Sequence, residues 1–239
     1  MNRFFTDNII AGQSARISGE DVRHISKVLR LRIGDSVCLC DGAGTEYLAK
    51  IAEIGKDSVL CSVDGGKPST TESKHRVTLF QGVPKSSKME VIIQKCVELG
   101  VHSIQPVWMS RCVPSSSRED ENRIKRYQRV SLEAAKQSCR GIIPDVLPPR
   151  RLREIDFSGY DRLIVAYEME KATTLKEVLK NTEGEKIGIV IGPEGGLEAG
   201  EVRFLNEAGG KTVTLGERIL RTETAGMAML AQILYELEG

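Results

Sequence analysis

The chain has 239 residues, 40% hydrophobic and 28% charged, with a formal net charge of +1, which fits an ordinary soluble globular protein built as one large domain or two modest ones. No run approaches the roughly 20 apolar residues that a membrane span needs, and Met1-Asn2-Arg3-Phe4-Phe5 leads into polar residues rather than a signal-peptide core, so a cytoplasmic location without a membrane partner is expected. Six cysteines without C-x-x-C spacing, and only three histidines, lead to an expectation of buried free thiols with neither metal nor disulfides.

Residues 1 to about 70 read as short strands, at Ser36 to Cys40, Glu46 to Ile54 and Ser58 to Val63, punctuated by Asp41-Gly42, Gly55 and Gly65-Gly66. This pattern predicts a small β-rich barrel. One helix interrupts it near Glu20 to Leu31, with Val22, Ile25 and Leu29 on one side and Arg23, Lys27 and Arg30 sharing another. Gly65 to Ser73 is polar, lacks apolar periodicity and reads as a linker, dividing the chain into domains 1–70 and 74–239.

Beyond that segment, strands and helices alternate. Val77 to Val83 reads as strand, then Ser87-x-x-Glu90 as a capping box opening a helix that ends at Gly100, then Ser103 to Trp108 as strand. A long helix follows at Arg123 to Cys139, strand at Arg162 to Tyr167, helix at Thr174 to Lys180 and strand at Ile187 to Ile191. Glu198 to Ala208 is helix, Thr212 to Leu215 strand, and Thr222 to Leu237 a final apolar helix; five short strands separated by helices predict an α/β fold with a parallel sheet.

Charge is segregated along this second half. Between Arg111 and Arg140 eight basic residues face four acidic ones, whereas from Glu194 onward eight acids face Arg203, Lys211, Arg218 and Arg221. The basic stretch is either a face for a polyanion such as nucleic acid or a solvated helix surface.

No complete Rossmann glycine fingerprint, Walker loop, H-E-x-x-H or G-x-S-x-G is present, which withdraws support from the common nucleotide-dependent and hydrolytic enzymes. Two polar loops remain, each entered from a β-branched run: Gly192-Pro193-Glu194-Gly195-Gly196 after Ile189-Val190-Ile191, and Leu215 to Ala225 after Val213-Thr214. In open α/β sheets, ligands sit at the carboxyl ends of strands, where glycine lets backbone come close. Open amides beside Leu215, Ile219 and Leu220 suit a flat heterocycle held by backbone hydrogen bonds, with the Thr222 and Thr224 hydroxyls where the last helix begins.

The segments Ile191-Gly192-Pro193-Glu194-Gly195-Gly196 and Leu215-Gly216-x-Arg218-Ile219-Leu220-Arg221-x-Glu223-Thr224-Ala225 resemble the RsmE family of ribosomal small-subunit RNA uridine-N3 methyltransferases, within the SPOUT superfamily. The resemblance extends to Arg3-Phe4-Phe5, His24-x-x-Lys27-Val28-Leu29-Arg30-Leu31-Arg32-x-Gly34-Asp35, Gln94-Lys95-x-x-Glu98-Leu99-Gly100 and Glu133-Ala134-Ala135-x-Gln137-Ser138-x-Arg140. It implies a PUA-like β-barrel followed by a SPOUT domain whose C-terminal third forms a trefoil knot, a homodimer, and S-adenosylmethionine as cofactor with S-adenosylhomocysteine as product. The partner it implies is 16S ribosomal RNA in the small subunit.

By position, the resemblance assigns cofactor contacts to Ala166, Tyr167 and Glu168; to Ile191, Gly192, Gly195 and Gly196; and to Leu215, Gly216, Ile219, Leu220, Thr224 and Ala225. Arg221 is the first candidate to polarise a uracil carbonyl and Arg140 the second, while Glu194 or Glu223 is a candidate base although an ordinary carboxylate matches a weak imide acid poorly. Arg23, Lys27, Arg30 and Arg32 are the expected phosphate contacts. Two other functions remain open at this point: a SPOUT enzyme acting on transfer RNA or a ribose 2′-hydroxyl, and a non-catalytic RNA-binding ribosome-assembly factor.

Overall fold

The computed structural model describes residues 1–112, 117–180 and 184–238. The chain falls into two compact units, Met1–Glu72 with Ala135–Ile143, and Ser73–Ala134 with Pro144–Gly239. Among the described residues, no helix is long and apolar enough to cross a membrane.

The first unit contains β1 (Arg3–Phe5), β2 (Ile9–Ile10), β3 (Ser14–Ser18), α1 (Glu20–Arg23), β4 (Ser36–Cys40), β5 (Thr45–Ile54) and β6 (Ser58–Pro68). Its sheet runs β1-β4-β5-β6-β3-β2, antiparallel except for the β1–β4 pair. Alternating residues such as Val37 and Leu39, Ala49 and Ile51, or Val59 and Cys61 point into one apolar core with Phe4, Ile17 and Ile25. The helix expected over Glu20 to Leu31 is shorter: α1 passes into a π-helical turn, His24–Val28, and the left-handed Arg30 (φ 53°) ends it. Val22 and Ile25 are buried, while Arg23, Lys27, Arg30 and Arg32 are all exposed.

The segment read as a linker is in part strand, since β6 continues through Pro68. Gly66 sits opposite Tyr47, and a Cβ there would lie 2.6 Å from the Tyr47 ring; the missing side chain is what lets the aromatic cross the strand. Glu72 then holds Ala135–Ile143 within this unit. Its carboxylate accepts from Arg140 Nη2 at 2.6 Å and from the Gly141 and Ile142 amides at 2.8 and 3.3 Å.

The second unit contains β7 (Arg76–Gly82), α2 (Lys88–Glu98), β8 (Ser103–Trp108), β9 (Asp145–Val146), β10 (Arg150–Arg151), β11 (Arg162–Ala166), α4 (Leu175–Leu179), β12 (Lys186–Ile191), α5 (Ala199–Glu207), β13 (Lys211–Val213) and α6 (Thr222–Glu238); α3 (Ser117–Gln137) begins in it. Among the described residues, seven strands form an all-parallel sheet in the order β10-β8-β7-β12-β11-β13, with β9 also along β8. Near-continuous apolar runs such as Ile187 to Ile191 fit strands covered on both faces. The capping box expected at Ser87 does not form: the Ser87 side chain caps nothing, and Glu90 instead pairs with Arg126 at 2.8 Å.

The basic stretch is less open than its charge implies. Arg126 is taken by Glu90, Lys136 by Asp21, Arg140 by Glu72, and Arg111 lies 3.8 Å from Glu198. At least half of its cations thus serve internal ion pairs.

Candidate active site

Parallel order sends the carboxyl ends of β11, β12 and β13 to one edge of the sheet, where their loops enclose a cleft of about 590 Å³. That volume lies within the usual range of small-molecule sites, roughly 300–1,000 Å³. Ala166, Tyr167 and Glu168 supply one wall, Ile191 to Gly196 the second, and Thr214 to Thr222 with Ala225 the third.

Close backbone approach shapes the middle wall. Gly196 is left-handed (φ 71°), and a Cβ on it would run into the Glu168 carboxylate. Gly82, at the end of β7, lies under the same loop: a Cβ there would come 2.6 Å from Pro193 N and 2.9 Å from Gly192 C. Thr222 ties this loop to the last helix, its hydroxyl donating to the Gly192 carbonyl at 2.6 Å and accepting from the buried Gln81 Nε2 at 2.9 Å.

Lys88, at the first turn of α2, lies 3.2 Å from Glu194 Oε1 and 3.3 Å from Glu223 Oε2. Burial favours a higher pKa for Glu194, but its own amide, Lys88 and the Lys85 N–H together hold the carboxyl below the usual carboxylate range. At Glu223 its own backbone amide does most of the lowering, helped against some desolvation by Lys88 and by the charge of Arg221. Both groups are therefore anions at neutral pH, and Glu194, the candidate base, stands in the cleft as a carboxylate paired with Lys88.

The structure gathers most of the expected cofactor residues in this one cleft, with Arg221 and Glu194 beside them. Thr224 stands apart: it is exposed on α6, and its amide donates to the Arg221 carbonyl at 2.9 Å. Arg140 belongs to the first unit, where it is 4% exposed and pairs with Glu72 at 2.6 Å. Arg221 is exposed at the cleft, and among the described residues no ion pair or side-chain hydrogen bond holds its guanidinium.

Sequence reading missed Lys88, Lys171 and Gln81. For Lys88 a signal exists, because a cation in the first turn of a helix opposes the helix dipole and calls for nearby anions.

The cleft offers apolar surface from Ile191, Leu215 and Leu220, an exposed Ile219 at its mouth, and loop amides brought forward by glycine. This mixture, with carboxylates at the rim, fits a ligand that has both a flat apolar ring and a cationic centre.

Comparisons with known proteins agree with that geometry. Residues 71–234 match the family model for an RNA methyltransferase domain, and residues 17–64 match that for an RNA methyltransferase PUA domain. The ribosomal RNA small subunit methyltransferase E of Bacillus subtilis (strain 168) is 33% identical over 250 aligned positions, covering 100% of this chain and 98% of that protein. Its counterpart from a Synechocystis species is 32% identical, covering 91% of this chain and 72% of that one. A crystal structure of ribosomal RNA small subunit methyltransferase E from Neisseria gonorrhoeae bound to S-adenosyl methionine superposes with a TM-score of 0.88 at 34% identity, covering 98% of this chain and 97% of that one. The chain belongs to the ribosomal RNA small subunit methyltransferase E family.

Proposed function

We propose that this chain methylates N3 of a uridine in 16S ribosomal RNA of the small subunit, with S-adenosylmethionine as donor. The observation that carries this reading is the glycine-walled cleft at the carboxyl edge of the sheet, in a chain whose full-length relatives are small-subunit RNA methyltransferases. When bound, S-adenosylmethionine supplies an electrophilic methyl group on a sulfonium that becomes neutral on transfer.

The task of the protein is orientation and charge. The loops from Ile191 to Gly196 and from Leu215 to Ala225 hold the donor by backbone and apolar contact, with Ala166 to Glu168 as the third wall. Uridine N3 carries a proton at neutral pH, so the new carbon–nitrogen bond requires that proton to leave. Arg221 lines the cleft as a permanent cation, and in this reading it supports negative charge on a uracil carbonyl while the N3 proton passes to water. Lys88 contributes by occupying Glu194 and Glu223, the carboxylates that compete for Arg221.

The exposed cations Arg23, Lys27, Arg30 and Arg32 on the first unit contact RNA phosphates and raise affinity without reading sequence. The same reading includes a trefoil knot through the two glycine loops, a homodimer and a cytoplasmic location. Arg221→Ala tests the mechanism: calorimetry is expected to show unchanged S-adenosylmethionine binding while single-turnover methylation is lost. A variant that keeps about half the wild-type rate or more removes Arg221 from the chemistry.

A further inference from the structure

A second cavity, of about 490 Å³, opens at the same carboxyl edge of the sheet, beyond β8 and β10. Trp108, the sole tryptophan of the chain, ends β8 and is in register with Arg151 of β10. Met109, Leu152 and Phe204 give the cavity apolar surface, and Arg153 lies with its guanidinium 5.2 Å from the Phe204 ring centre.

Three carboxylates also reach this space, and each is engaged. Glu201 accepts from the Ser110 amide and hydroxyl at 2.8 and 3.1 Å and from the Glu198 amide at 2.9 Å. Glu154 accepts from the Arg151 amide, and Glu198 lies beside Arg111. The exposed guanidinium groups of Arg151 and Arg153, by contrast, meet no anion among the described residues. Unpaired guanidinium groups flanking an indole and a phenyl ring match a nucleotide: the base has a face to stack, and the phosphate matches the planar fork.

Position strengthens the match. Gly195 and Gly196 line the cleft, Glu198 and Gly200 line this cavity, and along the chain only Leu197 separates the two linings. Arg111 spans them, bonding the Gly195 carbonyl and facing Glu198.

We propose that this cavity holds a nucleotide of single-stranded RNA that flanks the one entering the cleft, with its base on Trp108 and its phosphate on Arg151 and Arg153. The assignment rests on the reading of the chain as an RNA methyltransferase. It extends the substrate footprint past the reacting base.

The test follows Trp108 emission, the only indole signal in the chain, as a single-stranded pentanucleotide RNA, uridine monophosphate or inorganic phosphate is added to the full-length protein. Saturable quenching by the pentanucleotide is expected, weakened about tenfold in Arg151→Ala with Arg153→Ala, and about tenfold weaker again with uridine monophosphate. Inorganic phosphate should leave the emission unchanged. Both arginines are exposed, so the double variant is expected to fold, with circular dichroism like that of wild type.

Emission unmoved by the pentanucleotide, or quenching of unchanged affinity in the double variant, overturns the proposal. An equal response to uridine monophosphate also overturns it, by reassigning the cavity to a free nucleotide. Since the titration needs no methyl transfer, the two readings fail separately. A double variant that methylates small subunits with unchanged KM loses this site and keeps the function; quenching without any methylation keeps the site and loses the function.

Discussion

Lys88 and Glu194 form an ion pair at 3.2 Å, and because the same ammonium lies 3.3 Å from Glu223, one side chain of α2 joins the first glycine loop to the start of α6. Lys88→Met leaves two carboxylates without their shared ammonium, with Arg221 as the neighbouring cation and backbone amides as their remaining donors. Cofactor affinity by calorimetry is expected to fall about tenfold, and single-turnover methylation further, as misplaced loops and a diverted Arg221 add their effects. Lys88→Arg, which keeps the charge, should restore most of both. The clamp also has a sign in pH. Both carboxyls are held below their ordinary range, so the clamp is intact above about pH 4.5 and weakens only as pH falls through the lowered values. Cofactor affinity flat from pH 5 to 8 is the expected profile.

Gly82 touches the site from beneath without lining it. In Gly82→Ala the new methyl group meets backbone atoms of Gly192 and Pro193, which cannot rotate away as a side chain would. Displacement of the loop should reduce S-adenosylmethionine binding by at least about tenfold, while circular dichroism stays near wild type.

The Glu72–Arg140 pair makes a claim about stability. Burial works against the charged form of Glu72, but Arg140 and the Gly141 and Ile142 amides outweigh it and lower its pKa. A carboxyl depressed on folding contributes stability that is fully present above its unfolded value of about 4.3 and is lost as pH falls through the folded one. Glu72→Gln removes the carboxylate charge that faces the buried Arg140 guanidinium, so chemical denaturation at pH 7 is expected to show a loss of about 3 kcal/mol. The variant should also lose less stability than wild type between pH 5 and 3.

Substituting Arg23, Lys27, Arg30 and Arg32 together by alanine should weaken RNA binding across sequences. It should also lower the salt slope, by about 0.7 for each single-strand phosphate that is no longer neutralised. An unchanged slope in a filter-binding series refutes the role of these four cations at phosphates.

The strands of the second unit were legible because their β-branched runs lie between glycines, prolines and charged helices. Val77 to Val83, expected as strand, is β7 within one residue at each end. The two-residue strands β9 and β10 were not, since Asp145-Val146 and Arg150-Arg151 carry no periodicity and exist only through pairing with β8. The two glycine loops announced a site, yet the third wall, Ala166 to Glu168, came only from family resemblance. Pairs distant in sequence, such as Gln81 with Thr222 or Glu72 with Arg140, left no local trace. In the second pair, that silence hid the burial of Arg140 against Glu72.

The central claim is tested most directly by mass mapping of nucleosides from 16S ribosomal RNA after small subunits lacking the modification are incubated with the protein and S-adenosylmethionine. The account expects a single new N3-methyluridine, absent when Arg221→Ala replaces the wild type. Methylation only of a ribose or of transfer RNA, or no methylation by a protein that binds the cofactor, would contradict it.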